Sequence, residues 1–251
     1  MTQSISIITV TFNAASTLPA LIDSLRGQVD RDFEWVVMDG ASTDGTVAML
    51  QAAGDVVGMW RSEPDFGIYD AMNKALRLAS GEYYLVCGAD DRLSPTAIAD
   101  YREAIRKTSA EVISACVETE AGLRRPGLGQ PWRYGHAAFV SYHSVGTLIR
   151  RSLHERFGYY SRRFPIAADQ YFLKQVCLAP SVKFATTDFV AGHYSLEGLS
   201  GSDIPGTMSE FFRIQLETER HAGLQAILYG LRMLCHFGRI VAYGKAKRTA
   251  A

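Results

Sequence analysis

The sequence predicts an α/β domain on a mostly parallel sheet, with helices appended after it. Over residues 4–100 short apolar runs alternate with segments of helical period, as in parallel strands joined by crossover helices. At 251 residues the chain can bury one substantial core and little more. Its composition, 47% hydrophobic and 21% charged, is that of an ordinary globular protein.

Ile5-Ser6-Ile7-Ile8-Thr9-Val10 reads as a buried strand. Ser16 is placed to cap a helix whose apolar positions Leu18, Leu21, Ile22 and Leu25 recur at helical spacing. Residues 34–38 form a second strand, Asp44 caps a helix through Met49 and Leu50, and residues 56–60 form a third strand. The next helix carries Ile68, Met72, Ala75 and Leu76 on one face and stops at Ser80-Gly81. Residues 83–87 are the fourth strand, and Ser94-Pro95 supplies a cap and an N1 proline for a further helix. Past residue 118 the rhythm loosens. Residues 122–135, with four Gly, two Pro and three Arg, read as a long loop, a feature that is more often functional than idle. Residues 166–178 read as a helix, residues 196–206 are rich in Gly and Ser, and residues 207–243 read as two consecutive helices.

Lys+Arg and Asp+Glu balance at 26 each, so no net field recruits nucleic acid. Cys87, Cys116, Cys177 and Cys235 are too scattered for a zinc site or a disulfide framework and read as buried or half-buried thiols in a reducing compartment. The start MTQSISIITV lacks the basic segment of a signal peptide, and no run of about 18 apolar residues exists to span a bilayer. A cytoplasmic protein is the expectation.

In an open parallel sheet, ligands gather beyond the carboxyl ends of the strands. Polar clusters follow three of the four strands: Thr11-Phe12-Asn13, Asp39-Gly40-Ala41-Ser42-Thr43-Asp44 and Gly88-Ala89-Asp90-Asp91. Asn13 and Asp44 suit turns and caps equally well. Asp90-Asp91 is harder to explain structurally, because adjacent carboxylates after a buried strand repel unless a cation or donors hold them. A Mg²⁺ or Mn²⁺ shared with substrate phosphate resolves that repulsion.

The blocks SIITVTFN, VVMDGASTDGT and SEPDFGIYDAMNKALRLASGEYYLVCGADD resemble the signatures of inverting family 2 glycosyltransferases, most of all the bacterial enzymes that build exopolysaccharides, O-antigens and cell-surface glycolipids. The resemblance covers residues 4–100 closely and 140–200 loosely. It implies a nucleotide-diphospho-sugar transferase (glycosyltransferase A-type) fold and a metal-dependent enzyme of cell-envelope or exopolysaccharide synthesis. The catalytic domain would span 1–205, with a nucleotide-sugar-binding half at 1–117 and an acceptor-side half at 118–205, before a helical extension at 206–251. The partners implied are a nucleotide-diphosphate sugar donor and a saccharide or lipid-linked saccharide acceptor; a homo-oligomer stays open.

Carried onto this sequence, the resemblance implies donor contacts from Thr11, Phe12, Asn13, Asp39, Ser42, Asp65, Ile68 and Asp90, with Phe12 and Asp39 at the base. Asp90 would ligate Mn²⁺ or Mg²⁺, with Asp91 and His193 beside it. Asp169, in Phe164-Pro165-Ile166-Ala167-Ala168-Asp169, falls where the family keeps its general base, although it also suits a helix cap. Asp65 and Asp70 serve either sugar hydroxyls or the helix dipole. Two departures stand out: Gly40 where the family often has a second acid, and Gly88 where its D-x-D motif often begins. His143 joins His193 as a candidate for the acceptor or metal shell, and the Gly198–Gly201 segment suits a lid hinge. The processive signature Q-x-x-R-W is absent, so one transfer per acceptor is expected.

Leu224, Ile227, Leu228, Leu231, Leu234, Cys235, Val241 and Ala242 follow helical spacing, with Gln225, Arg232, His236 and Arg239 on a narrower polar stripe. Residues 224–251 suit either a helix packed on the domain or an interfacial helix on anionic lipid. Rival classes fare worse. Thr11-Phe12-Asn13-Ala14-Ala15 lacks the glycines of a dinucleotide fingerprint and the basic Gly-rich loop of a sugar-nucleotide pyrophosphorylase. A non-catalytic sugar-nucleotide scaffold remains the alternative, suggested by Gly40 and Gly88.

Overall fold

The computed structural model describes residues 4–127, 129–141, 143–195 and 203–249. The Gly198–Gly201 hinge lies outside them.

Nine strands form one sheet: β1 (Ile5–Thr11), β2 (Phe33–Asp39), β3 (Met59–Ser62), β4 (Tyr83–Val86), β5 (Arg92–Leu93), β6 (Val112–Thr119), β7 (Gly122–Arg124), β8 (Thr147–Arg150) and β9 (Phe184–His193). Their order is β3-β2-β1-β4-β8-β6-β9-β5, with β7 paired to β6. The first four strands are mutually parallel, β8 is antiparallel to both neighbours, and β6 is parallel to β9. The helices are α1 (Leu18–Arg26), α2 (Thr46–Ala52), α3 (Ile68–Leu78), α4 (Ala97–Thr108), α5 (Pro131–Tyr134), α6 (Leu153–Phe157), α7 (Ala168–Leu178), α8 (Ile204–Thr218), α9 (Ala222–Cys235) and α10 (Phe237–Thr249).

Side chains of the central strands alternate between two apolar clusters. Ile5, Ile7, Trp35, Val37, Tyr83 and Leu85 face a core shared with α1, α2 and α4. Ile8, Val36, Met38, Tyr84 and Val86 face a core shared with α3 and α7. That is why these strands read as continuous apolar runs: both faces are covered.

Element starts shift where backbone bonds override the expected caps. The α1 helix begins after Thr17, not Ser16, because Asn13 turns with φ 49° and Ala14 O accepts both Thr17 N and Leu18 N. Thr46 begins α2 and Gly45 occupies the cap, yet Asp44 Oδ1 still accepts Thr46 N at 3.1 Å. The third strand starts at Met59 because Val56 N and Val57 N bond back to Ala53 O. Pro95 lies ahead of α4, its carbonyl accepting Val29 N. The loop expected at 122–135 contains β7 and α5, and the tail after 207 forms three helices rather than two.

The division expected at 117/118 falls inside β6, which hydrogen-bonds to both β8 and β9, so the two halves share one sheet. The start of the extension packs on the domain. Ile214 of α8 lies in the second core, and Glu210 Oε2 accepts Ile166 N at 3.0 Å and Ala167 N at 2.9 Å. Cys87 and Cys116 are buried and Cys177 half-buried as expected, but Cys235 is exposed on α9.

Candidate active site

The strand ends of β1 and β4 and the starts of α3 and α7 surround a cavity of about 600 Å³, a volume suited to a small-molecule ligand. Its wall includes Thr11, Phe12, Asn13, Ile68, Asp90, Asp91 and Asp169 of the residues expected from the sequence. Asp39, Ser42, Asp65 and His193 are outside that wall.

Asp39 is 1% exposed and its carboxylate is saturated. Oδ1 accepts Thr11 Oγ1 at 2.8 Å and Ser42 Oγ at 2.5 Å, while Oδ2 accepts Ser42 N at 2.9 Å and Ser62 Oγ at 2.6 Å. Burial pushes Asp39 upward, but these donors outweigh it and hold the carboxyl below its ordinary range. Ser42 Oγ also accepts Asn13 N, Asn13 Oδ1 accepts Thr43 N, and Asp44 Oδ2 accepts Ala15 N. Asp39, Ser42 and Asp44 thus fasten the β1–α1 loop to the β2–α2 loop. Held above that fastening, Phe12 is 69% exposed at the cavity mouth, a free aromatic face.

Gly40 has a steric explanation. A Cβ there would stand 2.8 Å from Asp65 Oδ2 and 3.4 Å from the Phe12 ring. The carboxylate of Asp65 thus occupies space that a second acid at position 40 would need, with its other oxygen accepting Gly67 N at 2.8 Å. Asp70, by contrast, is tied up in ion pairs with Arg162 and, at 3.5 Å, Lys74.

Asp90 and Asp91 converge over Gly88, where an added Cβ would meet Asp90 Oδ1 at 2.8 Å and Asp91 Oδ2 at 2.9 Å. Glycine here is therefore what lets the two carboxylates lean together. Asp91 is 1% exposed and accepts Gly88 N at 2.6 Å. Burial, then the charge of Asp90, raises its pKa to about 7. Two carboxylates brought together over Gly88 form a hard-oxygen donor set, which fits Mg²⁺ or Mn²⁺. Among the described residues no three His, Cys, Asp or Glu side chains cluster as a complete metal cage. His193 sits on β9 opposite Arg92, its Nε2 3.8 Å from Glu120, and its charge also acts on Asp91. The histidine at the pair is His143, whose Nδ1 is 3.8 Å from Asp91 Oδ2 and whose ring stacks on Tyr194. Burial pulls His143 down to about 4, so it is neutral at pH 7.

Asp169 lies in the first turn of α7 rather than at its cap, which is Ala167. Its Oδ1 accepts the Tyr69 hydroxyl at 2.6 Å, and the same hydroxyl is 2.9 Å from Ile166 O. Burial and the Asp169 charge push the Tyr69 pKa well above its ordinary value, so the phenol stays a donor. Glu210, reaching from α8, caps the same turn through the amides of Ile166 and Ala167. Tyr69 and Glu210 are the supports that sequence reasoning missed. Tyr69 lies within the recognised α3 block, but nothing local signals its pairing with a residue 100 positions away.

A family model described as Glycosyl transferase family 2 matches residues 6–196. The uncharacterized glycosyltransferase Rv1514c of Mycobacterium tuberculosis is 32% identical over 182 residues, covering 69% of each chain. A PGL/p-HBAD biosynthesis glycosyltransferase of Mycobacterium bovis is 43% identical over 91 residues, 35% of this chain and 36% of that one. Among solved structures, S. aureus TarS 1–349 in complex with UDP-GlcNAc superposes with a TM-score of 0.69 at 19% identity, covering 94% of this chain and 73% of that one. The mannosyltransferase PcManGT of Pyrobaculum calidifontis, in complex with GDP-Man and Mn²⁺, gives 0.64 at 18% identity, covering 96% and 79%. At these identities the structural likeness speaks for the fold alone, and that fold is the mixed α/β architecture expected.

Proposed function

The chain belongs to glycosyl transferase family 2, and on that premise we propose that it moves a sugar from a nucleotide-diphosphate donor to an acceptor hydroxyl, inverting the anomeric carbon and making one transfer per acceptor. The observation that carries the reading is the shared cavity: Asp90-Asp91 and a tethered carboxylate, Asp169, line the same space. The acceptor is a saccharide or lipid-linked saccharide of envelope or exopolysaccharide synthesis, a role favoured by the mycobacterial PGL/p-HBAD relative.

Phe12 offers its exposed ring to the nucleotide base, and Asp39 and Ser42 act by holding that ring's loop in place. Asp65 stands beside the ring where a base edge or ribose hydroxyl would come within reach. Asp90 and Asp91 would hold a divalent ion, which when bound neutralises the diphosphate and stabilises the charge it gains on leaving. The neighbouring fold solved with GDP-Man and Mn²⁺ supports that choice of ion. Asp169 accepts the proton of the acceptor hydroxyl as its oxygen bonds to the anomeric carbon. The carbon–oxygen bond to the diphosphate breaks, and its electron pair departs with the nucleotide. Tyr69 donates to Oδ1 and leaves Oδ2 for that proton. His143 is held neutral by burial, near 4, and stacks on Tyr194.

The test is release of nucleoside diphosphate from UDP-, GDP-, dTDP- and CDP-sugars with Mn²⁺, for the wild type and Asp169→Asn. One donor class should turn over, with Asp169→Asn binding it but releasing about 10³-fold less product. Tight donor binding by the wild type without any release would favour a nucleotide-sugar-binding scaffold instead.

A further inference from the structure

The α9 helix is mounted inside out. Its polar stripe faces the protein: the Gln225 amide donates to Trp132 O at 2.8 Å, and Arg232 donates to Arg133 O. Tyr229, on the same side, stacks on Phe212 of α8. Its apolar stripe faces outward. Leu224, Ile227, Leu231 and Leu234 recur at i, i+3, i+7 and i+10, and Phe237 and Val241 of α10 follow, with exposures from 39% to 72%. A helix in contact with water on that side would place its polar stripe there, so a second apolar medium is implied.

Charge selects the medium. Besides the inward-facing Arg232, residues 220–251 carry Arg220, Arg239, Lys245, Lys247 and Arg248 and not one Asp or Glu, although the whole chain is neutral. Two copies meeting through this stripe would bring like-charged flanks together, a poor isologous contact. An anionic lipid surface instead receives the apolar side chains among its acyl chains and attracts the basic flanks. None of the described helices is long and apolar enough to cross a membrane, so the fit is to the interface and not to a span.

We propose that α9 and α10 form a docking surface for anionic membrane, with Leu224, Ile227, Leu231, Leu234 and Phe237 inserted at the headgroup boundary. The position is relevant to the cavity. Gln225 and Arg232 grip α5, and the chain runs directly from α5 to His136 in the cavity wall. The docking stands or falls independently of the transfer chemistry.

The experiment is co-sedimentation of the full chain with phosphatidylcholine vesicles, with and without phosphatidylglycerol, at low and high salt. Ile227→Glu/Leu234→Glu and Arg220→Ala/Arg239→Ala are run alongside, and nucleotide binding of each variant checks the catalytic domain separately. The wild type should partition at least about 10-fold more onto the anionic vesicles and lose most of that at high salt. The double glutamate variant should stay in the supernatant while still binding nucleotide, and the double alanine variant should bind more weakly than the wild type. Equal binding to neutral vesicles, no binding to either, or sedimentation unchanged in the glutamate variant would each overturn the proposal. So would a concentration-dependent dimer that the glutamate pair dissolves, since a second copy would then be the occupant.

Discussion

The strand ends of β2 and β4 carry the same chemical group in opposite states. At the end of β2, Asp39 is buried with four hydrogen bonds from hydroxyls and an amide, and it is held ionised. Just past β4, Asp91 is as deeply buried, with Asp90 beside it and its pKa raised to about 7. Burial is common to both, so the difference lies in the donors supplied. A carboxylate whose donors are already complete fastens loops, whereas one left short of positive charge is prepared for a cation. On the proposed reading, the contrast separates what holds the donor pocket's shape from what would engage the diphosphate.

The largest expected effect falls on the β4 side. Asp90→Ala should lower kcat by about 10³-fold or more while leaving the melting temperature within a few degrees, measured by product release and thermal unfolding. On the β2 side the balance reverses. Asp39→Asn turns amide hydrogens toward the hydroxyls of Thr11, Ser42 and Ser62 and should cost about 2 kcal/mol in denaturant unfolding. If Asp39→Asn left stability intact, the fastening role would be wrong and direct contact with the base would regain its standing. Tyr69→Phe should lower kcat by about 10-fold with donor binding unchanged, because Asp169 Oδ1 loses the hydroxyl that orients it. An unchanged kcat, or a loss of rate matched by a loss of stability, would make Tyr69 a packing residue only.

The smallest effect is one of pH. An acid whose pKa rises from 3.8 unfolded to about 7 folded binds its proton more tightly in the native state. Its stabilising contribution is whole below 3.8 and is lost as pH rises through about 7. A cation replaces that proton, so the stabilisation given by Mn²⁺ should grow between pH 6 and pH 8 in thermal unfolding. A pH-independent Mn²⁺ response would place the ion elsewhere.

Local patterns made the strand-end blocks legible, because β1, β2 and β4 are continuous apolar runs with polar residues directly after them. The strands beyond residue 100 were not. β5 is two residues long, and β6 and β9 pair through bulges that interrupt any simple period. Within the site, Asp90-Asp91 was legible from repulsion alone. The roles of Asp39 and Asp65 were not, because they depend on Ser62 at the end of β3 and on Gly40 after β2. Periodicity likewise identified the two stripes of α9 but not which one faces inward, a question answered only by the α5 carbonyls that accept Gln225 and Arg232.

The most direct test of the account compares two isosteric variants, Asp91→Asn and Asp39→Asn, in thermal unfolding at pH 8 with a nucleoside diphosphate, each with Mn²⁺ and with EDTA. The account predicts that Asp91→Asn without metal is at least as stable as the wild type and loses the joint response to Mn²⁺ and nucleotide. Asp39→Asn should be less stable yet keep that response. An Asp91→Asn variant that still gains stability from Mn²⁺ with nucleotide as the wild type does would contradict the assignment of the diphosphate site to Asp90-Asp91.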